Sequence, residues 1–363
     1  MKKSFGILAV VGLIIGLGFL LRGNLANENF RILLLGDTHF GENYGSIDLD
    51  ELGYEYSFER FEAILERADF TVLNLETPLT DVKESPLEGK SYTHWSNPEK
   101  GGATLGRLGV DAVSLANNHS MDMGAEGLRD TFEALEANAI EYFGAGDNEE
   151  EASEAYVKKF VLEDEEFYLV LIGAFEYSKK YNEEYSFYAS EEDEGVNPLL
   201  LNKVSQQILA LKNTLPNAYV IVFPHWGDNY KNADEAQRNA AHYLVDAGAD
   251  MIVGHGAHML QDVEEYKGKQ IVYSLGNFVF NSPGRYQKLD VDPFSLILEL
   301  NLRKSLGDID VEMRLYPIFT DNLITDYRSR FVSEREFEKV VEKLGIDSVG
   351  EDEMGRYMKM LTD

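Results

Sequence analysis

The chain has 363 residues, no cysteine, and 33 basic against 64 acidic side chains, a net charge of −31. That excludes disulfides and thiolate metal sites. It also excludes the clustered Lys and Arg that grip a phosphate backbone, so nucleic acid is not an expected partner. Length and a hydrophobic content of 44% fit a globular protein with a large core, its acid gathered in solvated runs such as residues 163–166 and 190–195.

Lys2 and Lys3 precede an uncharged run over residues 4–21, and Arg22 follows. A bilayer is crossed by roughly 17–25 apolar residues, and basic residues before such a run place the remainder of the chain outside the cytoplasm. The expectation is one N-terminal transmembrane helix within 1–22, touching the membrane through residues 4–21. The globular part would then be extracytoplasmic on a single-pass cell-membrane protein. Secretion after signal cleavage is the alternative, although no A-x-A site follows the run. Residues 23–29 read as a short tether.

The globular part opens with a strand at 31–36. A helix follows at 57–68, with Ser57 as its N-cap, and then a strand at 70–75. Residues 77–97 hold two prolines and little periodicity, and read as a long loop of the kind that is often functional. A helix at 98–108, a strand at 111–116, a helix from Gly124 to about Ala137 and a short strand at 140–146 come next. Two strands within 157–173 suggest a hairpin, while 176–200 is acidic, tyrosine-rich and aperiodic. Helices at 201–213 and 233–248 lead to strands at 218–223 and 250–254, and several strand-like runs fill the stretch to 325. Residues 326–363 look helical and charged. Alternating strands and helices followed by runs of strands imply an α/β fold whose mainly parallel sheet has antiparallel additions. One catalytic-type domain with two sheets, 30–325, is expected.

Five of the seven histidines sit just past an apolar run: His39, His119, His225, His255 and His258. Each has a carboxylate, amide or second imidazole nearby, the donor set for borderline and hard divalent metals. Parallel strands that deliver such residues to one sheet edge place them where open α/β sheets keep their sites. Asp37 and His39 form Asp-x-His, whose side chains point the same way in an extended chain. The segment 70–76 brings Asp69, Asn74 and Glu76 in the same manner, and Glu76 can bridge two metals. Asn117, Asn118 and His119 can ligate a metal and contact a phosphate, with Asp122 either capping the next helix or orienting His119. In "PHWGD", His225 is a ligand candidate, Trp226 a pocket wall and Asp228 a group to hold a ligand or an attacking water. In "YSLGNF", Ser274, Gly276 and Asn277 are read as a tight turn under the site rather than a substrate loop. His94 and His242 fall outside the pattern: His94 could reach the site from the long loop, and His242, mid-helix, reads as structural. Taken singly, each motif also has a bland structural explanation; together and in parallel order they point to a metal centre.

"LLGDTHFG", "NLETPL", "SLANNHSMDMG", "FGAG", "FPHWGDNY", "GADMIVGHGAHMLQ" and "VYSLGNFVF" make the chain resemble the CapA family of poly-γ-glutamate capsule proteins, of the calcineurin-like metallophosphatase fold, over about 31–320. The resemblance implies a four-layer α-β-β-α sandwich of the metallophosphoesterase type and a role in polyglutamate synthesis. It further implies two divalent ions, Mn, Fe or Zn. Asp37, His39, Glu76 and His258 would hold one, and Glu76, Asn118, His225 and His255 the other. His119 would donate a proton, with Asn118 stabilising the transition state. Gly256 stands where the family usually has a third histidine, which weakens the second site. The implied substrate is an extracytoplasmic phosphoester or a polymer bond. The alternative is a non-hydrolytic component of polymer assembly or export that holds an anionic chain beside other capsule-synthesis membrane proteins.

Overall fold

The computed structural model describes residues 29–162, 164–215, 217–305 and 308–362. The expected membrane segment 1–22 and the tether up to Glu28 lie outside the described residues. Among those described, no helix is long and apolar enough to cross a membrane.

The fold is mixed α/β with two large sheets. The ten-stranded sheet runs, in spatial order, Val349–Asp352, Gly355–Thr362, Asp308–Phe319, Phe294–Ser305, Asn29–His39, Phe70–Leu75, Ala112–Ser114 and Glu141–Phe143. Its last four strands are parallel, and Asn277–Phe280 pairs parallel to the end of Asn29–His39. The seven-stranded sheet centres on the parallel strands Glu165–Glu176, Ala218–His225, Met251–Val253 and Lys269–Val272.

Strand alternation divides the apolar residues between faces. Ile32, Leu34 and Val72 of the first sheet share one cluster with Leu171, Ile221, Phe223 and Val253 of the second. On the first sheet's other face, Leu33, Leu35 and Leu73 pack against Phe58, Phe61, Leu105 and Leu128 from helical segments. The second sheet's other face sets Val170, Val220 and Ile252 against Val204, Ile208 and Leu244 of the helices Leu201–Thr214 and Glu235–Asp246. Covered on both faces, the central strands read as continuous apolar runs. Each fully buried Leu, Ile or Val contributes about 1.5–3 kcal/mol.

Several elements differ from the sequence expectation. The helix at 57–68 is a 3-10 segment, Tyr56–Phe61, running into the short helix Glu62–Glu66. Ser57 is buried and donates to Asn281 Oδ1 at 3.0 Å instead of capping. The run around 270–280 splits into Lys269–Val272 of the second sheet and Asn277–Phe280 of the first. The C-terminal part is helical only at Glu334–Leu344, where Gly345 in the left-handed region stops the helix. Beyond it, Val349–Asp352 and Gly355–Thr362 form a hairpin on the first sheet, with Tyr357 and Met358 in opposite clusters. The period of two in that stretch outweighs its charge.

Candidate metal centre

The strand Asn29–His39 runs on through its own candidate ligands. Its pairing slips between Leu35 and Asp37 on one side and between Asp37 and Thr38 on the other, a bulge that re-aims Asp37. Gly36 makes this possible, because a Cβ there would lie 1.9 Å from the carbonyl oxygen of Gly276. From the neighbouring strand ends come Glu76 and the Asn117–His119 corner. From the second sheet come His225, His255 and His258.

Glu76 lies at the centre of the cluster. It is fully buried, and neither carboxylate oxygen has a hydrogen-bond partner. Nε2 of His119, His225 and His258 stand 3.8, 3.8 and 3.7 Å from its Oε1, too far for hydrogen bonds. Ligand atoms of Asp37, Glu76 and His258 all fall within 4.8 Å of one another. Further bare atoms are both ring nitrogens of His39, Nδ1 of His255 and Oδ1 of Asn118. A buried polar atom without a partner costs about 1–3 kcal/mol, and native folds hold few. Imidazole, carboxylate and amide lone pairs gathered here are what a hard or borderline divalent cation would satisfy, so the residues fit a metal.

The supports are specific. Asn74 Nδ2 reaches Asp37 Oδ1 at 2.9 Å and His225 Nδ1 at 3.2 Å, and its own carbonyl accepts from Asn117 Nδ2 at 3.2 Å. Asn117 also takes the His119 N–H at 3.0 Å. His258 has φ +56°, costly for a residue with a Cβ. Its Nδ1 lies 3.0 Å from Asn277 Oδ1 and 3.4 Å from Asp37 Oδ2, and its carbonyl accepts from Tyr286 Oη at 2.8 Å. Asn277 follows Gly276, whose carbonyl accepts from Asp37 N at 3.0 Å, so "YSLGNF" is a turn under the site.

Burial dominates the charge states. It lowers His39 and His225 to about 3 and His255 to about 4, and raises Glu76 well above the carboxylate range. His258 alone rises, to about 9: burial opposes this, and the charges of Glu76 and Asp37 with the Asp37 hydrogen bond overcome it. Asp37 falls to about 2 against its own burial, through its hydrogen bond to His258. Without a cation, the cluster is therefore one ion pair among mainly neutral lone-pair donors.

His119 is held by a second layer. Its Nδ1 is 2.5 Å from Asp122 Oδ2, which also accepts the His94 N–H at 2.6 Å, and Asp122 Oδ1 pairs with Lys90 Nζ at 2.6 Å. The helix Gly124–Glu136 is capped at Met123 without a side-chain bond, so Asp122 orients His119 and does not cap. The His94 ring stacks between those of His39 and His119, at centroid distances of 4.1 and 3.5 Å, and its Nε2 meets Tyr44 Oη at 3.1 Å.

Some expected site residues lie elsewhere. Asp228 has a 72% exposed side chain and pairs with Lys231 at 2.6 Å, so it neither holds a ligand nor reaches the centre. The glycine after Trp226 turns the chain outward before it. Trp226 is buried and donates to Tyr273 O at 2.8 Å inside the cluster on the second sheet's helix-covered face. Asp69 sits at the opposite strand end, accepting from Arg31 N. His39 and His255 are buried beside the centre, yet among the described residues neither ring comes within 4.0 Å of a carboxylate. His242 is structural, bonding Glu264 at 2.8 Å and stacking on Tyr266. Lys90 and His94 escaped the strand-end pattern because a loop delivers them. A lysine and a histidine in an otherwise aperiodic 21-residue stretch were the available signal.

The description "Bacterial capsule synthesis protein PGA_cap" belongs to a protein family whose profile matches residues 31–282. The capsule biosynthesis protein CapA of Bacillus anthracis is 32% identical over 261 residues, 70% of this chain and 61% of its own length. The PGA biosynthesis protein CapA of Bacillus subtilis is 30% identical over 248 residues, 68% and 62% of the two chains. A probable polyglutamine synthesis accessory protein of Mycobacterium tuberculosis is 33% identical over 232 residues, 61% and 59% of the two. The chain thus spans about three fifths of the length of these curated relatives.

Proposed function

The chain belongs to the PGA_cap family of bacterial capsule synthesis proteins, and from that membership we propose a cell-envelope protein of poly-γ-glutamate capsule biosynthesis with a divalent-metal site that hydrolyses a phosphoester or polymer bond. The single observation that carries the metal reading is Glu76, a buried carboxylate with no hydrogen bond, faced by three imidazole Nε2 atoms at 3.7–3.8 Å. The cluster shared between the sheets and the helix-covered outer faces support the four-layer metallophosphoesterase sandwich. The run over residues 4–21 supports a membrane anchor with the domain outside the cytoplasm.

Asp37, Glu76 and His258 would hold one ion, with His39 beside them; Glu76, Asn118, His225 and His255 are the donors for a second. Bound Mn, Fe or Zn would supply Lewis acidity toward a phosphoryl or acyl oxygen and lower the pKa of water. The chain's own residues do the rest. Asp122 occupies His119 Nδ1, so protons enter and leave His119 at Nε2, on the side of Glu76. Asn118 Oδ1 is buried without a hydrogen-bond partner. The stack of His39, His94 and His119 keeps the rings in register and leaves little room for bulk water.

One observation favours a second reading. Among the described residues, the Asp37–Glu76–His258 set closes to ligand spacing, while Glu76, His225 and His255 do not. A protein with one ion, holding an anionic polymer during assembly or export without cleaving it, fits that asymmetry. Elemental analysis of the full chain in detergent, loaded with Mn²⁺ or Zn²⁺ and desalted, tests the proposal beside Glu76→Gln. One or two ions per chain, lost in the variant, are expected. No retained metal in the parent protein would remove both the hydrolytic reading and the one-ion form of the second, and leave a metal-free site that holds polymer.

A further inference from the structure

Arg285 is exposed, on the segment that leads into the buried Tyr286. The Tyr286 hydroxyl donates to the His258 carbonyl, so the backbone beside Arg285 is tied to the centre. Its guanidinium carbon lies 4.9 Å from the ring centroid of Tyr92. In a chain of net charge −31 it makes no ion pair with any described carboxylate. Several other arginines, such as Arg67, Arg238, Arg314, Arg330 and Arg356, are paired, while Arg60 and Arg335 also make no ion pair with a described carboxylate.

Tyr92 is equally unusual. It is 62% exposed and holds φ +60°, a left-handed conformation that costs a side-chain-bearing residue about 1–2 kcal/mol. Two residues before it, Lys90 is locked to Asp122; two residues after it, His94 is stacked into the cluster. Anchored on both sides, the loop presents Tyr92 outward. Strain at an exposed aromatic, with only an arginine against its ring, is not explained by packing. Arg285 precedes Tyr286, which bonds the His258 carbonyl, and Tyr92 lies two residues before His94, so the pair sits beside the cluster.

A guanidinium stacked on a ring uses its face and leaves its N–H edge free, the edge that takes a carboxylate or phosphate in a two-pronged bond. We propose that Arg285, braced by Tyr92, is the specificity-determining residue that receives an oxyanion of the substrate, a carboxylate or a phosphate, beside the metal centre. The inference rests on the reading of that cluster as a substrate site. It accounts for how an acidic protein admits an anionic ligand: a cation without a carboxylate partner is kept beside the cluster.

The test is binding, measured separately from hydrolysis. Calorimetric titration of the full chain in detergent at low salt uses two probes, a γ-linked tetraglutamate and phenyl phosphate, on metal-stripped and Mn²⁺-loaded protein. Wild type should bind at least one probe, and the preferred probe identifies the source of the oxyanion. Arg285→Ala should weaken that binding about tenfold or more, and Arg285→Lys should recover only part of it. Tyr92→Leu should weaken it a few-fold, with metal content unchanged in all three. Arg285→Ala binding as tightly as wild type, or wild type binding neither probe, would overturn the proposal. So would loss of metal in Arg285→Ala, which would make the residue structural. If no protein retains metal but Arg285-dependent binding persists, the metal reading fails and this one stands.

Discussion

Replacing Gly256 with alanine puts a methyl group where the two sheets meet. A Cβ at that position lies 2.9 Å from His225 Nε2, 3.0 Å from its Cδ2 and 3.1 Å from the Trp226 carbonyl, all inside normal contact. The backbone is at φ +100°, a conformation that side chains rarely adopt, and left-handed backbone costs about 1–2 kcal/mol with a Cβ. Overpacking of a tight site adds about 1–3 kcal/mol. The His225 ring cannot retreat cheaply, since its Nδ1 is held by Asn74 and Phe175 stands 5.8 Å from its centroid. Gly256 N also donates to Asp37 Oδ2 at 3.2 Å, so a shifted backbone would loosen a second candidate ligand. Gly256→Ala should therefore lower unfolding free energy by about 2–5 kcal/mol in urea titrations of the metal-stripped protein. It should also reduce the Mn²⁺ retained after desalting. A variant within about 0.5 kcal/mol of wild type, with metal content intact, would refute the picture of a rigid His225 wall.

Three further outcomes are expected. Glu76→Gln should leave the metal-stripped protein as stable as wild type, or stabilise it by about 1 kcal/mol, because it removes an unpaired buried carboxylate; calorimetry with and without Mn²⁺ should show that the cation raises the melting temperature of wild type only. Lys90→Met should cost about 3 kcal/mol or more by stranding Asp122, and adding Asp122→Asn should restore part of it in a double-mutant cycle. The hydrogen bond from Arg330 lowers Glu336 to about 2 despite its partial burial. Its folded pKa is below the unfolded one, so this pair stabilises above roughly pH 4.3 and the contribution disappears as pH falls toward 2. Solvent screening holds it to about 1 kcal/mol, so Glu336→Gln should differ from wild type at pH 7 and match it near pH 2.

Residues that a strand end delivers were readable from the chain. Asp37, Glu76, Asn118, His119, His225 and His258 each follow an apolar run that becomes a buried parallel strand, and such strands must expose their polar residues where they stop. The runs at 70–75 and 218–223 were legible for the same reason: burial on both faces makes the run continuous. Asp228 misled because a motif two residues past a strand carries no information about which way the next turn faces; here Gly227 at φ +79° sends it to solvent. His94 was legible only as a loop histidine that could reach the site, and Lys90 and Tyr92 were not legible, since a long aperiodic loop has no period from which a facing direction can be read. The terminal hairpin was missed because its acidic turn and short strands resemble a charged helix in composition, while the alternation of Tyr357 and Met358 between two cores appears only once both cores are known.

The centre is destabilising in isolation, and that is a physical clue to its use. His258 at φ +56°, the bare atoms of His39, Glu76, Asn118 and His255, and the buried Lys90–Asp122 pair each oppose folding or contribute little to it. All of them except the loop-borne Lys90 follow or end parallel strands whose middles are among the most completely buried residues of the chain, such as Leu34, Leu171 and Ile221. The shared core can therefore hold donors at fixed spacing whether or not a cation is present, so metal binding is not a condition of folding, unlike in small metal-nucleated domains. A cation that satisfies the bare atoms binds only the native state and stabilises it by mass action. The increment should be absent in variants that remove a lone pair and present in those that alter Arg285.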